Sequence, residues 1–344
     1  MKVGILGTGA IADKHAQAYR NIGFQVVACS NKTESRGREF AARWSAEFVT
    51  DFRDLCRYPN LDFVDVCTFP ELRFEPVEAC AEIKRAVQVQ KPIATNLKTA
   101  RQMIETAQEA GIKLGVVSQH RFDDSVLFLK RALTTGRLGR LLEADAYVKW
   151  FRTEEYYARA VKASWRTEGG GALINQAIHQ VDILLYLMGP VSVVNGQWQT
   201  GARHRIESED IVNALLFYES GATGVVQAAT AFWPGYAERI EIHGTRGTAV
   251  VTGDRLTTWD VLGDEQANGA DPAPVEHDVA SGSSNPMSIR LVALERQFQN
   301  FAEAIRTGKE PGVNGEAGYR AFEVVLGIYE SCREHKPVQL YPTI

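Results

Sequence analysis

The sequence predicts an α/β protein with a doubly wound parallel sheet in its first part and an α+β domain with a large, mostly antiparallel sheet behind it. Three observations lead there. Short β-branched runs alternate with amphipathic stretches over the first ~120 residues, the pattern of parallel strands covered by helices on both faces. A glycine turn, Gly7–Ala12, joins the first run to the first helix. From Val191 to Val261, turn-separated strands follow one another with connections short enough for antiparallel pairing.

Taken in order, Val3–Leu6 is an apolar strand ending at Gly7; Phe24–Cys29, Phe63–Cys67 and Leu114–Val117 are further strands. Arg38–Trp44, Pro76–Lys84 and Ala100–Ala110 read as helices, the last stopped by Gly111. A helix near Val126–Leu133 precedes a strand at Leu141–Phe151 and a long apolar helix at Ala172–Leu187, stopped by Gly189-Pro190. Strands follow at Val191–Trp198, Asp210–Tyr218, Gly224–Ala231, Arg239–His243 and Thr248–Thr252. Gly263–Ser284 reads as an exposed loop, and helices at Ser288–Thr307 and Glu316–Glu334 finish the chain. At 344 residues the chain is too long for one ordinary core. The change of rhythm after Gln119 divides it into domains 1–119 and 120–344, with the last helices able to pack back on the first.

Composition narrows the function classes. The chain is 45% hydrophobic and 23% charged, with a formal net charge of −4, which offers no electrostatic footing for nucleic acid or a membrane surface. No apolar run reaches the ~20 residues of a membrane span, and Met1–His15 moves directly into a fold motif without a signal peptide's cleavage region. The five cysteines form no CxxC pair and read as reduced core thiols of a cytoplasmic protein. The seven histidines form no HxxxH or HxH pair, so no metal site is expected.

Gly7-Thr8-Gly9-Ala10-Ile11-Ala12 is a G-x-G-x-x-A pattern between a strand and a helix, the context of a dinucleotide cradle. Gly7 permits the tight turn, Gly9 lets the backbone approach a pyrophosphate, and the helix N-terminus offers free N–H groups. About 20 residues on, an NAD site usually carries a carboxylate. Here stand Ser30, Asn31 and Lys32, with Arg36 beyond. A neutral amide beside a cation does not repel a 2′-phosphate, so NADP is favoured over NAD, although Lys32 and Arg36 also read as ordinary solvated charges.

Lys91-Pro92 closes a late strand of the first domain, where strand ends line the ligand crevice. Proline fixes the backbone at the lysine; taken alone, such a lysine is also a common surface residue. Along the apolar helix 172–187, Asn175, His179 and Asp182 form a polar stripe at i, i+4 and i+7 that reads either as catalytic or as buried hydrogen-bonded structure. Asp182 could orient the imidazole or bond backbone.

With GTGAIADKH at the start, QKPIA, QHRF at 119–122, EGGGALINQAIHQVD at 168–182 and PGYAERIEIHGTRG at 234–247, the chain resembles the Gfo/Idh/MocA family of NAD(P)-dependent oxidoreductases almost end to end. The resemblance implies a Rossmann domain followed by an open-faced sheet domain that mediates homodimer or homotetramer contacts. It implies a sugar or cyclitol as substrate. It makes Lys91 the contact to the reacting hydroxyl and His179 the acid/base, with Asn175 beside them able to hold a hydroxyl or the imidazole. Thr8, Ala10, Ile11, Pro70 and Pro92 join the cofactor site. Gln90, Asn175 and Phe74 depart from the usual Glu, Asp and His, and an amide at 175 cannot take a proton. Arg121, Arg152, Tyr156, Tyr157, Trp165 and Arg166 suit a hydroxylated ring, while Tyr156, Tyr157 and Trp165 also read as packing loop against core. Trp233, Tyr236 and Arg239 fit either the site or a subunit contact. Two other expectations stay open: an NAD-dependent glycosidase using transient oxidation, and a non-enzymatic nucleotide-binding regulator.

Overall fold

The computed structural model describes residues 1–158, 162–264, 283 and 290–340. In chain order the first elements are β1 (Lys2–Leu6), α1 (Ala10–Asn21), β2 (Gln25–Ser30), α2 (Glu34–Trp44), β3 (Glu47–Val49), α3 (Phe52–Arg57), β4 (Phe63–Val66), α4 (Phe74–Glu82), β5 (Ala86–Val89), α5 (Leu97–Ala110) and β6 (Leu114–Val116). The strands form one sheet in the order β3-β2-β1-β4-β5-β6, every pair parallel. This is the doubly wound Rossmann arrangement, whose strand order reverses between β1 and β4. All of β4 and β5 is buried, as expected for strands covered on both faces. No pattern in the sequence marks β3 or α3. Three residues with one apolar alternation, and six in a single turn capped by Asp51, are too short to show a period.

Next come α6 (Asp124–Thr134), β7 (Leu141–Lys149), α7 (Glu154–Tyr157), a π-helical turn at Leu173–Ala177 continuing as α8 (Ile178–Met188), and β8 (Val191–Thr200). After these follow β9 (Glu209–Tyr218), β10 (Thr223–Ala229), β11 (Arg239–Gly244), β12 (Gly247–Thr252) and β13 (Arg255–Val261). The chain ends with α9 (Leu291–Thr307), α10 (Gly315–Glu334) and β14 (Val338–Gln339). The second sheet runs β13-β12-β11-β7-β10-β9-β8-β14. It is antiparallel except where β7 meets β10. That parallel pair follows from the crossover through α8, a connection long enough to return the chain in the same direction. Burial alternates along the second half of β9, with Leu215 and Phe217 exposed, so one face of the sheet is open.

The chain divides into two compact units: Met1–Gln119 with Arg290–Tyr319, and His120–Ile289 with Arg320–Ile344. In the first, α9 covers α1: Phe298 stacks on Tyr19 at 4.3 Å, and Phe301 meets Phe63 edge-on. Most of the expected loop Gly263–Ser284, and the start of the expected helix at Ser288, lie outside the described residues. Among the described residues no helix is long and apolar enough to cross a membrane.

Candidate functional site

The first unit builds its cradle from the turn after β1. Gly7 has φ +88°, and its amide donates to Ser30 O at 2.8 Å. A Cβ there would sit 3.0 Å from the Thr68 amide nitrogen, so the β1 turn lies directly against the exit of β4. Gly9 starts α1 with no side-chain cap, and a Cβ added to it would meet nothing within 4 Å. Gly9 and Ala10 are exposed and Ile11 half-buried, leaving first-turn N–H groups open to an anion. The Oγ1 atoms of Thr8 and Thr68 are buried with no partner among the described residues, polar atoms that a ligand at this turn can satisfy. The residues present therefore fit a dinucleotide pyrophosphate.

At the end of β2, Ser30 is buried and Asn31 accepts a hydrogen bond from Thr8 N at 3.2 Å while donating to Thr33 O at 2.9 Å. Its amide thus ties the cradle turn to the loop that follows β2. Lys32 and Arg36 are exposed. Pro70 is buried and opens a single 3₁₀ turn, Pro70–Leu72, after β4. Phe74 starts α4, half-buried.

Beyond β5, Gln90 is buried, Lys91 half-buried, and the Lys91–Pro92 peptide is cis. The Gln90 amide accepts from Lys91 N at 3.2 Å and meets His15 Nε2 at 2.7 Å. On its other nitrogen, His15 pairs with Asp65 Oδ2 at 2.6 Å, and Tyr19 OH donates to the same oxygen at 2.8 Å. His15, Asp65 and Cys67 bring three ligand-type atoms within 4.8 Å of one another. Two ligands of one tetrahedral zinc stand about 3.3 Å apart, so the 2.6 Å His15–Asp65 approach is a hydrogen bond. Sequence reading missed this network. The available signal was an aspartate inside an otherwise apolar strand, FVDV, since a buried carboxylate demands partners.

The second unit carries the helix. Gly171 has no room for a Cβ, which would stand 1.9 Å from Glu209 O. Glu209 accepts from Gly171 N, Leu173 N and Tyr329 OH at 2.8–2.9 Å. Burial pushes its carboxyl up to about 7, against the downward pull of those donors. This anchor starts the helix through the π turn, which breaks the even α-helical spacing of the sequence stripe. Asn175, inside the turn, donates to Glu168 Oε2 and Gly170 O, each at 3.3 Å. His179 is half-buried and meets the His120 ring edge-on at 5.2 Å. His120 bonds Asp123 at 2.7 Å; burial lowers its pKa, but Asp123, Glu238 and Asp182 together raise it. Asp182 takes a partner that helix spacing does not reveal. It is buried and receives Nε and Nη2 of Arg121 at 2.7 and 2.6 Å.

The remaining candidates separate by environment. Tyr156 is half-buried, its OH accepts from Gln176 Nε2 at 3.2 Å, and Lys162 lies over its ring at 5.0 Å. Lys162, which sequence reading did not single out, also pairs with Glu168 at 2.5 Å, linking Tyr156 to Asn175. Trp165 packs against Trp198 and Tyr329 at 5.2 and 5.0 Å, and Arg166 is exposed. Trp233 and Tyr236 are exposed, and Arg239 pairs with Glu241 at 2.6 Å.

Residues 1–118 match the family model described as the Gfo/Idh/MocA oxidoreductase NAD-binding Rossmann fold, and residues 130–340 its C-terminal alpha/beta domain. The chain is 28% identical to myo-inositol 2-dehydrogenase of Thermotoga maritima, covering 100% of both chains. It is also 28% identical to D-apiose dehydrogenase of Paraburkholderia graminis, over 98% of this chain and 89% of that protein. Among solved structures, the WlbA dehydrogenase of Bordetella pertussis in complex with NADH and UDP-GlcNAcA matches with a TM-score of 0.84 and 27% identity, over 99% of each chain.

Proposed function

The chain belongs to the Gfo/Idh/MocA oxidoreductase family, and on that premise we propose that it is an NAD(P)-dependent dehydrogenase of a sugar, sugar derivative or cyclitol. The observation that carries the reading is the open, uncapped first turn of α1 at Gly9, near two threonine hydroxyls that have no partner among the described residues. The names of the relatives, an inositol and an apiose dehydrogenase, support a polyhydroxylated substrate.

When bound, the nicotinamide supplies hydride acceptance or donation. The chain's residues handle the proton. His179 takes the proton of the reacting secondary hydroxyl as general base. The Lys91 ammonium stabilises the alkoxide-like oxygen. Asn175 holds a hydroxyl without proton transfer, because a carboxamide is neither an acid nor a base near neutral pH. Tyr156 and Arg166 contact the ring, while Arg121 and Trp165 bind substrate or hold its wall through Asp182 and Tyr329. The Asn31–Lys32 pair favours NADP over NAD, and Arg36 adds to the positive potential there. The exposed apolar face of β9 supports a homodimer or homotetramer through the second sheet; sedimentation of a monomer at micromolar concentration would remove that part.

A panel of sugars, inositols and uronates, read at 340 nm with both cofactors, tests the proposal. Turnover on at least one polyol is expected. Sugar release without net reduced nucleotide would instead identify the glycosidase, and nucleotide binding without turnover across the panel the regulator.

A further inference from the structure

Arg73 is 3% exposed, and its hydrogen-bond acceptors among the described residues are all backbone carbonyls. Nε and Nη2 donate to Thr68 O at 3.0 and 2.7 Å, and Nη1 donates to Gln90 O and Pro92 O. A buried guanidinium bonded only to neutral oxygens is expensive to desolvate. Burial lowers its pKa to about 9 although Cys67, Glu71 and Asp65 pull the other way. A group retained at that cost must hold something in place, and its acceptors identify what. Thr68 lies on the exit of β4, against the Gly7 turn. Gln90 and Pro92 are the two residues flanking Lys91.

We propose that Arg73 is a positioning residue for Lys91, its fork bracketing the lysine through the carbonyls on either side and tying that turn to the cradle loop. The Gln90 amide completes the bracket by accepting from Lys91 N–H. With the backbone held before and after it, the direction in which the Lys91 side chain leaves the main chain is set by Arg73. A lysine at 73 keeps the charge but cannot reproduce a planar fork that spans three carbonyls. The inference rests on the role given above to Lys91. It adds a residue that sequence reading passed over, because an arginine in a polar loop carries no signal of burial.

The test is a double-mutant cycle on the full chain with its best substrate, using R73K and R73Q in the wild-type and K91A backgrounds. In the wild-type background each variant should lower kcat about 10- to 100-fold, the scale of a misplaced reacting group. Nucleotide Kd should stay within about threefold. In the K91A background the same substitutions should change residual kcat by less than about twofold, because the group they position is gone. Equal losses in both backgrounds overturn the proposal, as does failure of both variants to fold, which would assign Arg73 to folding alone. A second readout needs no turnover. In protein whose lysines carry 13C-methyl labels, the Lys91 resonance, assigned by its loss in K91R, should move toward the solvent-exposed lysines in R73K. No movement overturns the proposal. Movement accompanied by normal turnover of K91A sustains the positioning and removes the catalytic role of Lys91 instead.

Discussion

Breaking the Arg121–Asp182 pair should destabilise the second unit by an amount that removing both partners does not. The pair is bidentate at 2.7 and 2.6 Å, both residues are under 9% exposed, and Tyr186 lies 4.9 Å from the guanidinium. Removing one partner of such a pair leaves an uncompensated buried charge, worth about 3–5 kcal/mol, whereas apolar replacement of both is close to neutral. For a unit of this size each kcal/mol moves Tm by about 2–4 °C. D182L and R121M should therefore each lower Tm by about 6–20 °C, with D182L the worse because a guanidinium cannot shed its proton. The double variant R121M/D182L should recover most of that loss. Differential scanning calorimetry and urea midpoints of the four proteins give the coupling energy. Additive losses would refute the reasoning, since they would mean that the two groups do not compensate each other. The double variant also separates two roles of Arg121: a KM within about threefold of wild type makes it a wall, and a much larger KM makes it a substrate contact.

Three further outcomes follow from the same geometry. Gly9→Ala, whose Cβ would enter open space at the N-cap of α1, should cost about 0.5–1 kcal/mol in stability yet weaken nucleotide binding at least about tenfold; an unchanged Kd by fluorescence titration would contradict the cradle. Asn31→Asp keeps an acceptor for Thr8 N but places a carboxylate near a 2′-phosphate, so the KM ratio should swing toward NAD by about tenfold, and an unmoved ratio would end the case for NADP. Glu209, raised to about 7, holds its proton at higher pH in the folded chain than in the unfolded one. Its contribution is fully present below about pH 4.5 and is lost as pH rises through 7, by up to about 3 kcal/mol. Unfolding free energies between pH 5 and 8 should fall accordingly in wild type and flatten in E209Q; the same slope in both would disprove the assignment.

The parallel half was legible because its signals are local: β-branched runs, a glycine turn at residue 7 and the αL stop at Gly111. What escaped depends on tertiary partners. Asp65 and His15 sit 50 residues apart, and Arg121 finds Asp182 across 61. Neither spacing has a period. The stripe of Asn175, His179 and Asp182 shows the limit most clearly. Its spacing predicts one α-helical face, but the π turn at Leu173–Ala177 and the Glu209 anchor divert Asn175 toward Glu168. The parallel β7–β10 pair was hidden for a related reason, since short turns predict antiparallel neighbours and only the α8 crossover allows the exception.

The most direct test of the hydride-transfer account is the kinetics of K91M and H179N beside wild type, on whichever polyol the panel identifies, with nucleotide Kd measured in the same preparations. The account predicts that each substitution lowers kcat by about 100-fold or more while nucleotide binding is retained. Turnover within a few-fold of wild type in either variant would contradict it.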